Sequence, residues 1–254
     1  MKKLVKLILN YFPRTILTRL SFIVKPIIRI YLRGNKFTDP IDGSSFRKFL
    51  PYGYNNVREN ALSPSTFSLE RHRLLWLYLK NETFFFTKNL KVLHFAPEAA
   101  YYKKFKNLPN ITYHTTDINS PLATIKADIC DLPINDDTYD FILCNHVLEH
   151  IIDDRKAMKE LYRVLKKGGV GIFQVPLETT REKTYEDFSI VKPNERNIAF
   201  GQYDHVRVYG MDFFDRLSEV GFKVEKCNYA VKLKKEEIIK YSLPKNEIIP
   251  VCVK

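Results

Sequence analysis

Hydrophobic and polar positions alternate most legibly between residues 139 and 176. Tyr139 to Cys144 is apolar apart from Asp140, the pattern of a parallel strand covered on both faces. The run stops on Asn145, His146, Glu149 and His150. Ala157, Met158, Leu161, Val164 and Leu165 then recur at helical spacing behind Asp153 and Asp154. Lys166 and Lys167 before Gly168 and Gly169 predict a helix stop with glycine as its cap. A second apolar strand runs to Pro176. Polar groups at the carboxyl end of a parallel strand mark the ligand crevice of open α/β sheets.

Apolar periodicity elsewhere predicts a helix over 69–80, strands over 91–95 and 111–117, a helix over 211–220 closed by Gly221, and strands over 222–229 and 248–253. The last two are expected to pair antiparallel. These elements alternate as a doubly wound α/β domain requires. The four cysteines, Cys130, Cys144, Cys227 and Cys252, show no metal or disulfide spacing, which suits reduced thiols in a cytoplasmic protein.

Charge changes the picture at the amino terminus. The formal net charge is +12, and residues 1–36 hold nine Lys or Arg and no acid. The longest charge-free stretch there, Leu7 to Pro13, is seven residues, too short for a membrane span. From Arg14 to Arg33, Ile16, Leu17, Leu20, Ile23, Val24, Ile27, Ile28 and Tyr31 form an apolar face with basic residues between, and Pro26 is expected to kink the helix. An interfacial anchor on an anionic membrane and a helix packed on its own domain both fit that composition. The first places the protein peripherally on the inner membrane face. An RNA-binding arm fits less well, because rows of Ile and Leu do not track phosphates.

The string EHIIDDRKAMKELYRVLKKGG, followed by a strand ending in proline, resembles the class I, small-molecule-type methyltransferases that use S-adenosylmethionine. The resemblance covers roughly residues 90–230. It implies a Rossmann-like, doubly wound, mostly parallel sheet of seven strands with a terminal antiparallel hairpin, and S-adenosylmethionine as cofactor. Expected organisation is a basic helical arm over 1–36, a ribbon-like segment over 37–68 and the methyltransferase domain over 69–254. In the second segment Asp39, Asp42, Ser63 and Thr66 stand at C-x2-C-x20-C-x2-C spacing. Its surroundings resemble the zinc ribbon of some bacterial methyltransferases. Without thiolates no zinc is expected, and two ordinary proline turns are the alternative.

Across the cofactor crevice the resemblance assigns His94, Ala96 and Glu98 in the first loop, Asp117 at the ribose, Asp128 and Ile129 at the adenine, and Asn145 and His146 beside them. The family's first loop is acidic and glycine-rich, whereas this chain has His94-Phe-Ala96-Pro-Glu98. Glu98 reads equally as a helix-start acid. An acid ending the second strand fits ribose recognition independently. His146-Val-Leu-Glu149-His150 also matches the H-x-x-E-H string of inverted zinc peptidases, but straddling a strand end it lacks the helix that chemistry needs. A polar stretch follows Pro176, long enough for a lid. It leads to Asp204, His205 and Arg207. His205 is the candidate base, oriented by Asp204 or a neighbour, with His150 and Arg207 toward the substrate. The alternative is that Asp204, His205 and Arg207 anchor the lid. The expected reaction is O-methylation of a glycan or lipid-linked sugar. Ribosomal RNA base methylation and an inactive scaffold are the alternatives.

Overall fold

The computed structural model describes residues 25–53 and 57–254; residues 1–24, most of the basic arm, lie outside them. The chain divides into two compact units, one of residues 1–77 with 233–245, the other of 78–232 with 246–254. Residues 233–245 thus join the amino-terminal unit rather than the domain expected over 69–254.

In the first unit a helix described over 25–31 leads into two antiparallel pairs. These are β1 (Arg33–Thr38) with β2 (Ser45–Phe46), and β3 (Leu50–Tyr52) with β4 (Arg58–Leu62). Leu32, Phe37, Phe46 and Phe49 form its small core. The two proline turns meet. Asp39, fully buried, accepts from Thr66 Oγ1 at 2.5 Å and Ser68 Oγ at 3.0 Å. Asp42 accepts from Ser65 Oγ at 3.2 Å. Carboxylate–hydroxyl bonds therefore join the loops at the ribbon-spaced positions. Arg73, on helix α1 (Glu70–Glu82), is buried and donates to the carbonyls of Ala61, Ser68, Tyr241 and Ser242, which holds residues 241–242 to this unit.

The second unit is built on one six-stranded sheet. Its strands are β5 (Leu90–Phe95), β6 (Ile111–Thr116), β7 (Tyr139–Cys144), β8 (Leu165–Ile172), β11 (Lys223–Cys227) and β12 (Ile249–Val253), in spatial order β11-β12-β8-β7-β5-β6. The four strands from β6 to β8 are parallel, and β12 pairs antiparallel with both β8 and β11. The sheet has six strands, not the expected seven. The missing edge strand is reduced to one parallel bridge, Thr116 to Ile125. Asn119-Ser-Pro-Leu-Ala123 turns too tightly for a crossover helix, and Asp117 and Thr115 fix that turn by accepting from Asn119, Ser120 and Thr124. Helix α2 (Ala99–Lys106) follows β5.

Helix α3 (Asp154–Val164) starts on Asp153, whose side chain accepts from the Lys156 amide at 2.9 Å. It buries Ala157, Met158, Leu161 and Val164 in the main core, which also takes Phe213, Phe214 and Leu217. Full burial of each such large apolar side chain contributes about 1.5–3 kcal/mol. The helix ends at Val164, earlier than the glycines predict. Leu165 already pairs with Tyr139, and Gly168 sits at φ +74° where the register shifts. The pair serves a bulge inside β8, because a Cβ on Gly169 would meet the Lys166 carbonyl at 2.8 Å. Beyond β8 come β9 (Tyr185–Glu186), helix α4 (Pro193–Phe200), β10 (Arg207–Val208) and helix α5 (Phe213–Val220). The last ends on Gly221 at φ +118°, as expected.

Candidate active site

The carboxyl ends of β5, β6 and β7 lie side by side, with Phe95 paired to both Thr116 and Cys144. The chain leaves two of them in strained backbone. Ala96 has φ +43° and His146 has φ +55°, left-handed values that cost a side-chain-bearing residue on the order of 1–2 kcal/mol. Such strain concentrates where a fold holds a ligand or reacting group.

Glu98 follows Ala96. Its Oε2 accepts from His94 Nε2 at 3.1 Å and from Asn145 Nδ2 at 3.2 Å. Burial, then the Glu98 charge, pushes the Tyr113 phenol up, so its hydroxyl stays protonated and donates to His94 Nδ1 at 2.7 Å. His94 is fully buried with both ring nitrogens engaged. It orients Glu98 rather than meeting a ligand itself, which corrects its expected role. Asn145 also accepts from the Gln174 amide at 3.4 Å, locking its flip state. Asp117 Oδ1 accepts from the amides of Asn119 and Ser120, both at 2.7 Å, which fixes the carboxylate at the end of β6. Downstream, Asp128 is exposed and caps its own turn, while Ile129 is committed to the core and does not offer the free apolar face expected of it.

After β7 a single 3-10 turn, Leu148–His150, carries the second cluster. The H-x-x-E-H string is therefore not on one helix. The Glu149 carboxylate is 2% exposed, and neither oxygen has a hydrogen-bond partner among the described residues. His146 Nδ1 lies 3.3 Å from Oε1 outside bonding geometry. A donation from the Val206 amide to the Glu149 carbonyl, 3.0 Å, draws residue 205 onto this turn. The His150 and His205 rings meet edge to face at 4.8 Å, and donor atoms of Glu149, His150 and His205 all lie within 4.8 Å of one another. Burial pushes His205 below the ordinary histidine value, opposed in part by the Glu149 charge. His205 is thus a neutral imidazole at neutral pH, next to a carboxylate that stabilises its protonated form.

Two expected roles change. Asp204 faces His150, its carbonyl at 3.2 Å and Oδ2 at 3.6 Å from Nδ1, and its other oxygen accepts from Gln202. The carboxylate grouped with His205 is Glu149. Arg207 is 1% exposed and donates to the carbonyls of Leu148, Ile151 and Ile152 and to Glu186. It clamps the turn and anchors the 177–206 stretch instead of meeting substrate. Asp154 completes this anchor, accepting from Tyr209 Oη at 2.8 Å and Arg216 Nη1 at 2.9 Å. Burial pushes Glu186 up, but hydrogen bonds from Arg216 and Arg207 outweigh it and hold the group below the usual carboxylate range.

Residues 89–173 match the methyltransferase domain family. Over this segment the chain is similar to methyltransferase domains. The match begins with the strand before the strained Ala96 turn and ends just past β8, so it encloses His94, Ala96, Glu98, Tyr113, Asp117 and Asn145. A demethylmenaquinone methyltransferase of Clavibacter sepedonicus is 42% identical over 45 residues, 18% of each chain. An uncharacterised protein of Methanocaldococcus jannaschii is 40% identical over 68 residues, 26% of this chain and 30% of that one. The chain spans less than a third of the length of these relatives. An S-adenosylmethionine-dependent methyltransferase structure from Mesorhizobium loti covers 70% of this chain and 96% of its own, at 12% identity and TM-score 0.49. The cofactor of such domains is S-adenosylmethionine, and the matched segment offers it a polar setting. Thr116 Oγ1 and His146 Nε2, buried at the ends of β6 and β7, lack hydrogen-bond partners among the described residues. A hydroxyl- and amine-bearing ligand satisfies groups of that kind.

Proposed function

We propose that the protein is an S-adenosylmethionine-dependent methyltransferase acting on a hydroxyl of a glycan or lipid-linked sugar. The observation that carries this reading is the grouping of buried His205 and Glu149 with half-buried His150, on a turn that begins where the strained end of β7 leaves the sheet. When bound, the cofactor supplies an electrophilic methyl group on a sulfonium. Asp117, Glu98 and Asn145 are the residues assigned to hold it, through the ribose hydroxyls and the amino-acid part. His205 Nε2 or Nδ1 accepts the acceptor's hydroxyl proton, and Glu149 stabilises the resulting imidazolium. His150 positions His205 by edge-to-face contact and is itself held by Asp204. A polar and aromatic run, Gln202-Tyr203-Asp204, precedes the base, the kind of side chains that bind sugar rings.

A second reading is an aromatic acceptor with a ring hydroxyl, and the Clavibacter relative, named for demethylmenaquinone, favours it. The same base serves both, because removing a phenolic proton activates the ring. Incubation of the full chain with methyl-labelled cofactor and cell extract separates the readings. Label in a saponifiable glycolipid or glycan supports the sugar, label in a quinone fraction supports the aromatic ring, and label in RNA displaces both. No labelled product from any fraction, with intact cofactor binding, would mark the protein as a scaffold.

A further inference from the structure

The amino-terminal unit carries a cavity of about 500 Å³ that methyl transfer leaves unused. Lys25, Arg29 and Arg33 line it together with Ser44, Ser45 and Phe46. Lys25 and Arg29 lie one turn apart on the helix described over 25–31, and Arg33 opens β1. Arg29 Nη2 donates to Ser44 Oγ at 3.4 Å, so a guanidinium and a hydroxyl already converge there. The acids that follow in sequence, Asp39 and Asp42, accept from the amides of their own turns and from the hydroxyls of Thr66 and Ser65 in the second proline turn. Neither forms an ion pair with Arg29 or Arg33 among the described residues. Two guanidiniums and two hydroxyls, with no acid among the described residues that line the cavity, suit a phosphate.

The helix itself identifies the bearer of that phosphate, and its Ile30 also lines the cavity. Ile27, Ile30 and Tyr31 are 63%, 77% and 71% exposed and lie on the helix that supplies Lys25 and Arg29. Arg47 stacks over the Tyr31 ring at 4.6 Å. Exposed isoleucines have no use in a nucleic-acid groove, where aromatic rings stack on bases. A helix with cations on one side and bulky apolar groups beside them lies in the headgroup–acyl boundary of a bilayer. We propose that this cavity seats the phosphate headgroup of an anionic phospholipid, with Ile27, Ile30 and Tyr31 entering the acyl boundary.

The test is co-sedimentation of the full chain with phosphatidylglycerol–phosphatidylcholine vesicles and with pure phosphatidylcholine vesicles. Binding is expected only to the anionic vesicles. Each juxtamembrane cation contributes about 1 kcal/mol, so the Arg29→Gln/Arg33→Gln double variant should bind about 30-fold more weakly. Residues 2–24 are themselves basic, so the control is Lys103→Gln/Lys104→Gln, which removes the same charge from exposed positions on α2. Near-unchanged binding of the control, with Ile27→Ser/Ile30→Ser also weakened, supports the seat. Equal losses in the pocket and control variants, or retention on RNA without retention on vesicles, overturn it. Competition by glycerol phosphate at the same concentration as lipid would also overturn it, reassigning the cavity to a soluble phosphate. Melting curves of each variant confirm that folding is intact.

Discussion

Asp154→Ala should unlock the base of the candidate site. Asp154 is 4% exposed and holds Tyr209 and Arg216 through hydrogen bonds of 2.8 and 2.9 Å, with Arg207 Nε at 3.8 Å. Removing one partner of a buried ion pair costs about 3–5 kcal/mol, because the other charge stays desolvated. The lower end applies here, since Glu186 still accepts from Arg207 at 2.8 Å and Arg216 at 3.2 Å. A loss of about 3 kcal/mol is a large share of the 5–15 kcal/mol typical of a domain. In guanidinium denaturation it should move the midpoint down by roughly 0.5–1 M. Because Arg207 clamps the carbonyls of Leu148, Ile151 and Ile152, the loosened anchor should also expose 177–204 to limited proteolysis. Asp154→Leu/Arg216→Met, which removes both charges, should recover much of the loss. A single variant within about 0.5 kcal/mol of wild type, with an unchanged proteolytic pattern, would refute the anchoring argument.

His205→Gln should lower kcat about 10²- to 10⁴-fold while leaving cofactor affinity unchanged. Burial holds His205 below the ordinary 6.5, so kcat/KM should stay flat through neutral pH and fall only below that value. The same shift affects stability. The unfolded chain binds the proton first as pH drops through 6.5, so stability falls with acid in that window, and His205→Gln should flatten the dependence. Chelation with EDTA should leave activity intact; loss restored by added zinc would reassign Glu149, His150 and His205 to a metal. Burial pushes the Cys144 and Cys252 thiols up and Cys130 to about 11, so native alkylation should be slow and all four thiols should react after unfolding.

Much of the fold was legible because periodicity reports burial. Strands β5, β6 and β7, helix α3 and the β11–β12 pairing fall within a few residues of their apolar patterns. Where local signals had two uses the reading failed. Gly168-Gly169 signals a helix cap and a bulge equally, and strand pairing of Leu165 decided the matter. A seventh strand was expected from the family, yet the tight 119–123 turn leaves one bridge. In the site, residue identity located the crevice but not partner choice. Asp204 is adjacent to His205 in sequence, yet it sits in a turn closed by the His205 amide on the Gln202 carbonyl and directs its carboxylate at His150, while the long-range Val206–Glu149 bond selects the carboxylate for His205. Asp154 marked only the start of a helix, because nothing local announces Arg216, 62 positions away. Arg207 read as a substrate contact for the same reason.

The most direct test of methyl-donor binding at the strained strand ends is calorimetric titration of the full chain with S-adenosylmethionine. Saturable one-to-one binding is expected, weakened about ten- to a hundredfold in Asp117→Asn, the cost of charged hydrogen bonds of about 1.5–3 kcal/mol. A folded protein that takes up no S-adenosylmethionine, or whose affinity is indifferent to residue 117, would contradict it.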